Sequence, residues 1–160
     1  MSSQVAKESD PRQSIIIDIE HQTLELRNDS QLIAVYPVSS SRFGLGNEEG
    51  SFRTPTGRFR ICEKFGDGAR PWMIFKGRIA TGETAYPGGE QDLVLSRILW
   101  LEGLEDENRN TLERYIYIHG TNQEDLIGTP ASHGCIRLRN QEMIDLYDRV
   151  ETGTEVRIKP

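Results

Sequence analysis

The sequence has few of the features that hold a small fold together from outside. There are two cysteines, Cys62 and Cys135, 73 positions apart and without a Cys-x-x-Cys pair, which argues against a disulfide scaffold and a four-cysteine zinc module. No window of about 18 apolar residues occurs, so no transmembrane helix is expected. The first 14 residues hold no apolar run of signal-peptide length. Positive charge is not in surplus either: 19 basic side chains face 25 acidic ones, and residues 81–160 carry 8 basic against 15 acidic. That balance argues against a phosphate-tracking nucleic-acid binder and a polybasic membrane-surface protein. The expectation is a cytoplasmic chain with no nucleic-acid or membrane partner. A periplasmic or cell-wall location is the alternative if an export signal precedes Met1 in the native gene.

What is present suffices for one compact domain. At 160 residues and 36% apolar, the chain can bury a core without metal or disulfide support. A polar lead-in covers residues 1–13 and a single domain covers 14–160. Ile15-Ile16-Ile17-Asp18-Ile19 and Leu24-Glu25-Leu26 read as a hairpin across His21-Gln22, and Leu32–Val38 as a third strand. Ser39–Ser41 with Gly44 and Gly46 signals a loop, and Thr54-Pro55-Thr56-Gly57 a turn before a fourth strand, Arg58–Cys62. Residues 66–89 read as an irregular excursion, Leu93–Leu101 as a buried element that fits strand or helix with strand preferred, and Glu102–Glu113 as an exposed acidic loop. Tyr115–Ile118 predicts a strand running into His119-Gly120. One helix is expected, with Asn140 as N-cap, an apolar face of Met143, Ile144, Leu146, Tyr147 and Val150, and Gly153 at C′; Val156–Ile158 closes as a strand. The fold class is mostly β with one C-terminal helix.

The chemistry concentrates in Tyr115–Arg139, where Ser132-His133-Gly134-Cys135-Ile136-Arg137 follows His119-Gly120. A cysteine attacks as thiolate, and a neighbouring histidine raises the ion-paired thiolate fraction at neutral pH. Gly134 lets the backbone approach a substrate carbonyl, so amides near Cys135 are candidates for an oxyanion hole. Arg137, two residues on in an extended segment, shares a side with Cys135, where a guanidinium would suit a substrate carboxylate. From His-x-Cys alone, a buried free thiol beside a packed histidine competes with this reading. Three zinc ligands in His119, His133 and Cys135 are disfavoured, because no fourth ligand is evident. No metal or cofactor is expected. Cys62 reads as inert, His21 as solvated, and Trp72, Tyr86 and Tyr117 as core, rim or groove aromatics.

The longer pattern is more specific. His-Gly, then further residues leading to Ser-His-Gly-Cys-Ile-Arg, resembles the signature of the L,D-transpeptidase catalytic domain (YkuD type), peptidoglycan-remodelling cysteine acyltransferases. Val35-Tyr36-Pro37-Val38-Ser39, Gly50 and Thr54-Pro55-Thr56-Gly57-Arg58-Phe59 resemble that family's upstream strand, glycine loop and turn, so the likeness runs from Ile15 to Ile158. It implies a β-sandwich-like fold, Cys135 as nucleophile and His119 as base. It also implies that Ser132, His133 and Gly134 shape the oxyanion region, and that no cofactor is needed. Where some relatives place serine after the first histidine, this chain has Gly120, so a backbone carbonyl would replace the third member. Where some carry asparagine, Arg137 stands.

The resemblance implies attack on the bond between the third stem-peptide residue, usually diaminopimelate, and a terminal D-alanine. Peptidoglycan stem peptides or muropeptides are the partners expected. With a cytoplasmic setting, water is the favoured acceptor, which makes an L,D-carboxypeptidase of muropeptide recycling; a 3-3 cross-linking or exchanging L,D-transpeptidase is the alternative. A non-catalytic muropeptide binder has no need of a nucleophile beside two imidazoles. A papain-like protease would carry its histidine after the cysteine, the reverse of the order here.

Overall fold

The computed structural model describes residues 12–160. The lead-in therefore lies outside the described residues up to Pro11, and the first strand already opens at Gln13. In chain order the strands are β1 (Gln13–Asp18), β2 (Thr23–Asn28), β3 (Gln31–Pro37), β4 (Gly57–Phe65), β5 (Met73–Lys76), β6 (Ile79–Thr84), β7 (Val94–Gly103), β8 (Tyr117–Gly120), β9 (Ile136–Leu138) and β10 (Glu155–Lys159); helix α1 (Asn140–Arg149) precedes β10. The fold is mostly β with a single helix near the C-terminus, as the sequence predicts.

Strands β3, β2, β1, β10, β4 and β7 lie side by side, β8 pairs the far edge of β7, and β9 pairs β8. The two ends of this array then meet. Just beyond β3, the Ser39 N–H donates to the Arg137 carbonyl (2.9 Å) and the Arg137 N–H to the Ser39 carbonyl (3.0 Å). The sheet thus curls around its own apolar face and leaves few unpaired edges. Two-residue alternation supplies that face: Ile15 and Ile17, Leu24 and Leu26, Phe59 and Ile61, Leu99 and Leu101, Val156 and Ile158 are all buried. Helix α1 packs onto the same core through Met143, Leu146, Tyr147 and Val150. Each such side chain contributes about 1.5–3 kcal/mol by leaving water.

Five local expectations need correction. Residues 66–89 are not irregular throughout: β5 and β6 form an antiparallel ribbon attached to β7 at Ile74–Leu95. Residues 102–113 are not simply an exposed loop, because Asn108 is fully buried, its amide donating to the Thr56 and Arg58 carbonyls. The strand expected at Tyr115 begins at Tyr117, so His119 and Gly120 lie within β8, and Tyr115 takes φ +56°. Asn140 is the first helical residue, with Arg139 as N-cap; its buried side chain bonds Ser96, the Thr121 carbonyl and Glu124 instead of capping. Tertiary partners outbid the local cap. Gly153 is not at C′, since the helix ends at Val150; it takes φ +88° in the turn before β10.

Candidate active site

Parallel pairing of β8 with β9 places the predicted residues. Ile118 lies opposite Ile136 and both are buried in the main core. By alternation Tyr117 and His119 on β8, and Cys135 and Arg137 on the adjoining segment, therefore face the other side. There Cys135 packs against a second apolar cluster of Met73, Phe75, Ile98 and Tyr117.

The sulfur is held by backbone. The Tyr117 N–H donates to Cys135 Sγ at 3.3 Å, and the Tyr115 carbonyl lies 3.4 Å away as acceptor for the thiol proton. Burial pushes the thiol up to about 12, against a smaller opposing effect of the Tyr117 N–H. His119 is buried, and burial lowers its pKa against the raising effect of Asp92. Burial thus opposes the thiolate and the imidazolium alike, against the ion pair that residue types alone suggest. His119 Nδ1 lies 2.6 Å from the Gly120 carbonyl oxygen. A carbonyl only accepts, so Nδ1 carries the proton and Nε2 keeps its lone pair. Gly120 is also sterically fixed: a Cβ there would come within 2.5 Å of Asn140 Oδ1 and 2.8 Å of the Leu95 oxygen.

The nucleophile turn is clamped from two directions. Ser132 Oγ donates to the Cys135 carbonyl (2.6 Å) and accepts the Gly134 N–H (3.2 Å). Thr54, fully buried, donates to the Gly134 carbonyl (2.9 Å) while accepting the Ser41 N–H (2.9 Å). The Thr-Pro-x-Gly turn is thereby attached to the cysteine segment 80 residues later. Gly134 has φ +128°, a conformation that favours glycine.

His133 stands at the rim, with Phe43 and Phe52 at 5.9 and 6.0 Å between ring centres, and its Nδ1 is 3.2 Å from Asp92 Oδ2. Arg137 is not at the surface of the site. It is fully buried, donating from Nη1 to Asp92 (3.0 Å) and Gln123 (2.7 Å) and from Nη2 to Ser39 (3.0 Å). The expectation that Arg137 directly grips a substrate carboxylate is corrected: the closing of the sheet at Ser39 covers it. Asp92, which no motif singled out, joins these groups. Burial raises its pKa, but the His119 and Arg137 charges and the hydrogen bonds of His133 and Arg137 outweigh that and hold it below the usual carboxylate value.

A cavity of about 270 Å³ adjoins the turn, lined by Glu49, Phe52, Glu113, Arg114, Tyr115 and His133 among others. Of the aromatics weighed from sequence, the Tyr117 backbone touches the thiol, whereas Tyr86 is largely exposed and Trp72 is half-buried. Among the described residues, Cys135, His119 and His133 do not gather their ligand atoms as a metal site would. Asp18, Glu20 and His21 do, within 4.8 Å, in the β1–β2 turn, where His21 is exposed and paired with Asp18.

The family model described as the L,D-transpeptidase catalytic domain, YkuD, matches residues 12–158. The chain is 24% identical over 146 residues to the putative L,D-transpeptidase YkuD of Bacillus licheniformis, covering 91% of this chain and 65% of that protein. It is 30% identical over 152 residues to the probable L,D-transpeptidase YcfS of Escherichia coli, covering 92% and 44%. Among solved structures, an L,D-transpeptidase from Mycobacterium smegmatis superposes with TM-score 0.62 at 20% identity, over 93% of this chain and 59% of that one. The chain spans less than two thirds of the length of each of these relatives. With the match running across nearly all described residues and the same fold around the cysteine turn, the chain belongs to the L,D-transpeptidase catalytic-domain (YkuD) family.

Proposed function

We propose that this chain is a cysteine acyltransferase acting on peptidoglycan stem peptides. Cys135 Sγ attacks the carbonyl joining the third stem residue to a terminal D-alanine, and its proton passes to His119 Nε2. The C–N bond breaks as His119 returns that proton to the leaving amine, which leaves a thioester on Cys135. Ser132, His133 and Gly134 shape the turn where the oxyanion forms. The observation that carries this reading is that His119 on β8 and Cys135, the residue just before β9, lie on the same face by strand alternation, and that the Gly120 carbonyl directs the basic nitrogen of His119 away from itself.

Water is the acceptor we favour, giving tripeptide and an L,D-carboxypeptidase. Phe52, Tyr115 and His133 around the turn are exposed, an open rim that supports a small acceptor such as water. The cytoplasmic setting and a role in muropeptide recycling belong to the same proposal. A second reading, an amine acceptor, has its own support in the Glu49 and Glu113 side chains lining the cavity, which suit an ammonium group. The test is mass spectrometry of disaccharide-tetrapeptide incubated with the enzyme, with and without an added D-amino acid, using Cys135→Ala as blank. Tripeptide in both tubes supports hydrolysis; dimers or exchanged stems as main product assign transpeptidation; no product overturns the proposal. One solved relative is an L,D-transpeptidase in complex with imipenem. By that analogy imipenem should add one covalent equivalent to Cys135, read as a mass shift absent from Cys135→Ala.

A further inference from the structure

The turn of the β5–β6 ribbon brings an arginine onto the side chains of the two tyrosines whose backbone holds the thiol. Arg78, held at φ +65°, places its guanidinium carbon 4.2 Å from the Trp100 ring centre and 5.5 Å from that of Tyr115. The two rings are stacked 6.1 Å apart, and Trp100 is fixed by its Nε1 donating to the Leu112 carbonyl at 3.1 Å. Arg78 Nη1 donates to Tyr117 Oη at 3.0 Å. The side chains that seat this cation therefore belong partly to Tyr115 and Tyr117, whose backbone groups hold the Cys135 sulfur.

Its donors are largely unused. Of a guanidinium's five N–H groups, the bond to Tyr117 takes one. Among the described residues no other acceptor bonds it and no carboxylate forms an ion pair with it; Glu63 acts on its charge only from a distance. The two arginines whose charges act on the thiol differ. Arg137 is spent on Asp92, Gln123 and Ser39, and Arg114 on the Gly46 and Arg53 carbonyls and Ser51. A flat cation, oriented by two rings and one phenol, presents its free edge as a fork suited to a planar carboxylate.

We propose that Arg78 is the anion subsite of the Cys135 site and takes a carboxylate of the substrate, the task residue spacing alone would give to Arg137. This rests on the stem-peptide reading above, in which two carboxylates flank the scissile bond: that of the terminal D-residue, and that on the third-residue side chain when it is diaminopimelate. The chemistry is shared, and the source is resolved by amidating each in turn.

The experiment measures calorimetric binding of three peptides, the free tetrapeptide, its C-terminal amide and its side-chain amide, to Cys135→Ala protein carrying Arg78, Arg78→Met or Arg78→Lys. Arg78→Met should weaken the free tetrapeptide at least tenfold, and Arg78→Lys should restore part of the loss. The amide lacking the contacted carboxylate should bind weakly to the Arg78 protein and lose nothing further on Arg78→Met. With Cys135 intact, Arg78→Met should raise KM far more than it lowers kcat. Unchanged affinity in Arg78→Met, an equal loss for all three peptides, or no binding of the free tetrapeptide to the Arg78 protein would each overturn the subsite. Binding that depends on Arg78 without any turnover by the intact enzyme would instead overturn the reaction proposed above and leave the subsite standing.

Discussion

Asp92 Oδ1 accepts a hydrogen bond from Arg137 Nη1 at 3.0 Å across 45 residues of sequence, and the arginine in that pair is fully buried. The second oxygen of Asp92 reaches His133 Nδ1 at 3.2 Å. One carboxylate thus ties the strand behind the nucleophile to the imidazole at its rim. Arg137 in turn reaches Ser39, where the sheet closes. The pair is a strut under the site.

Removing the arginine should therefore cost stability before it costs binding. Arg137→Ala leaves Asp92 without its buried partner, and a loss of roughly 3–5 kcal/mol is expected from breaking such a pair on one side. Urea unfolding with the slope held constant measures it. A wild-type midpoint with weakened substrate binding would restore Arg137 as a direct substrate contact.

Cys135→Ala keeps the backbone and removes only the sulfur. Turnover should fall by roughly 10⁴-fold or more, as for loss of a nucleophile elsewhere. Near-native stability is expected, because Tyr117 and the apolar cluster remain. Residual turnover at the wild-type rate would remove Cys135 from the mechanism.

The acid limb of kcat/KM should report His119. Only its neutral form accepts the thiol proton, and burial lowers its pKa, so the rate should persist below the ordinary histidine value of about 6.5. Asp92 acts in the opposite direction, raising the His119 pKa, while the Arg137 charge lowers it. Asp92→Asn should consequently move the acid limb to still lower pH. A shift upward, or none, in a stopped-flow pH profile of Cys135 acylation would contradict this coupling.

Gly120→Ala tests close packing and not backbone freedom. Its Cβ would lie 2.8 Å from the Leu95 carbonyl and 2.5 Å from Asn140 Oδ1, so β8 must move away from β7 or Asn140 must give up its bonds. Overpacking of this kind costs about 1–3 kcal/mol. The carbonyl that holds His119 Nδ1 moves with it, so acylation should slow as well; thermal unfolding and single-turnover acylation check the two effects.

Much of the fold was legible because its signals are local. Two-residue alternation in Ile15–Ile17, Leu24–Leu26 and Phe59–Ile61 depends only on which face of a strand meets the core. The β5–β6 ribbon escaped because every residue of β6 is exposed, so it carries no such alternation. Asn140 misled because a side chain that makes a good cap makes an equally good buried bridge when Ser96, Thr121 and Glu124 arrive to meet it.

For the site, the sequence by itself determined the candidate nucleophile, the histidine two positions along the same strand face from Tyr117, and the glycines the turn requires. Residue chemistry at short spacing was enough for that. Tertiary structure alone decided that burial opposes charge on the pair, since burial is set by neighbours such as Met73 and Phe75 that are distant in sequence. It also decided which arginine is free. Arg137 and Arg78 are chemically identical, and only the meeting of Ser39, Asp92 and β9 covers the first, while the fold of a ribbon over Trp100 leaves the second open.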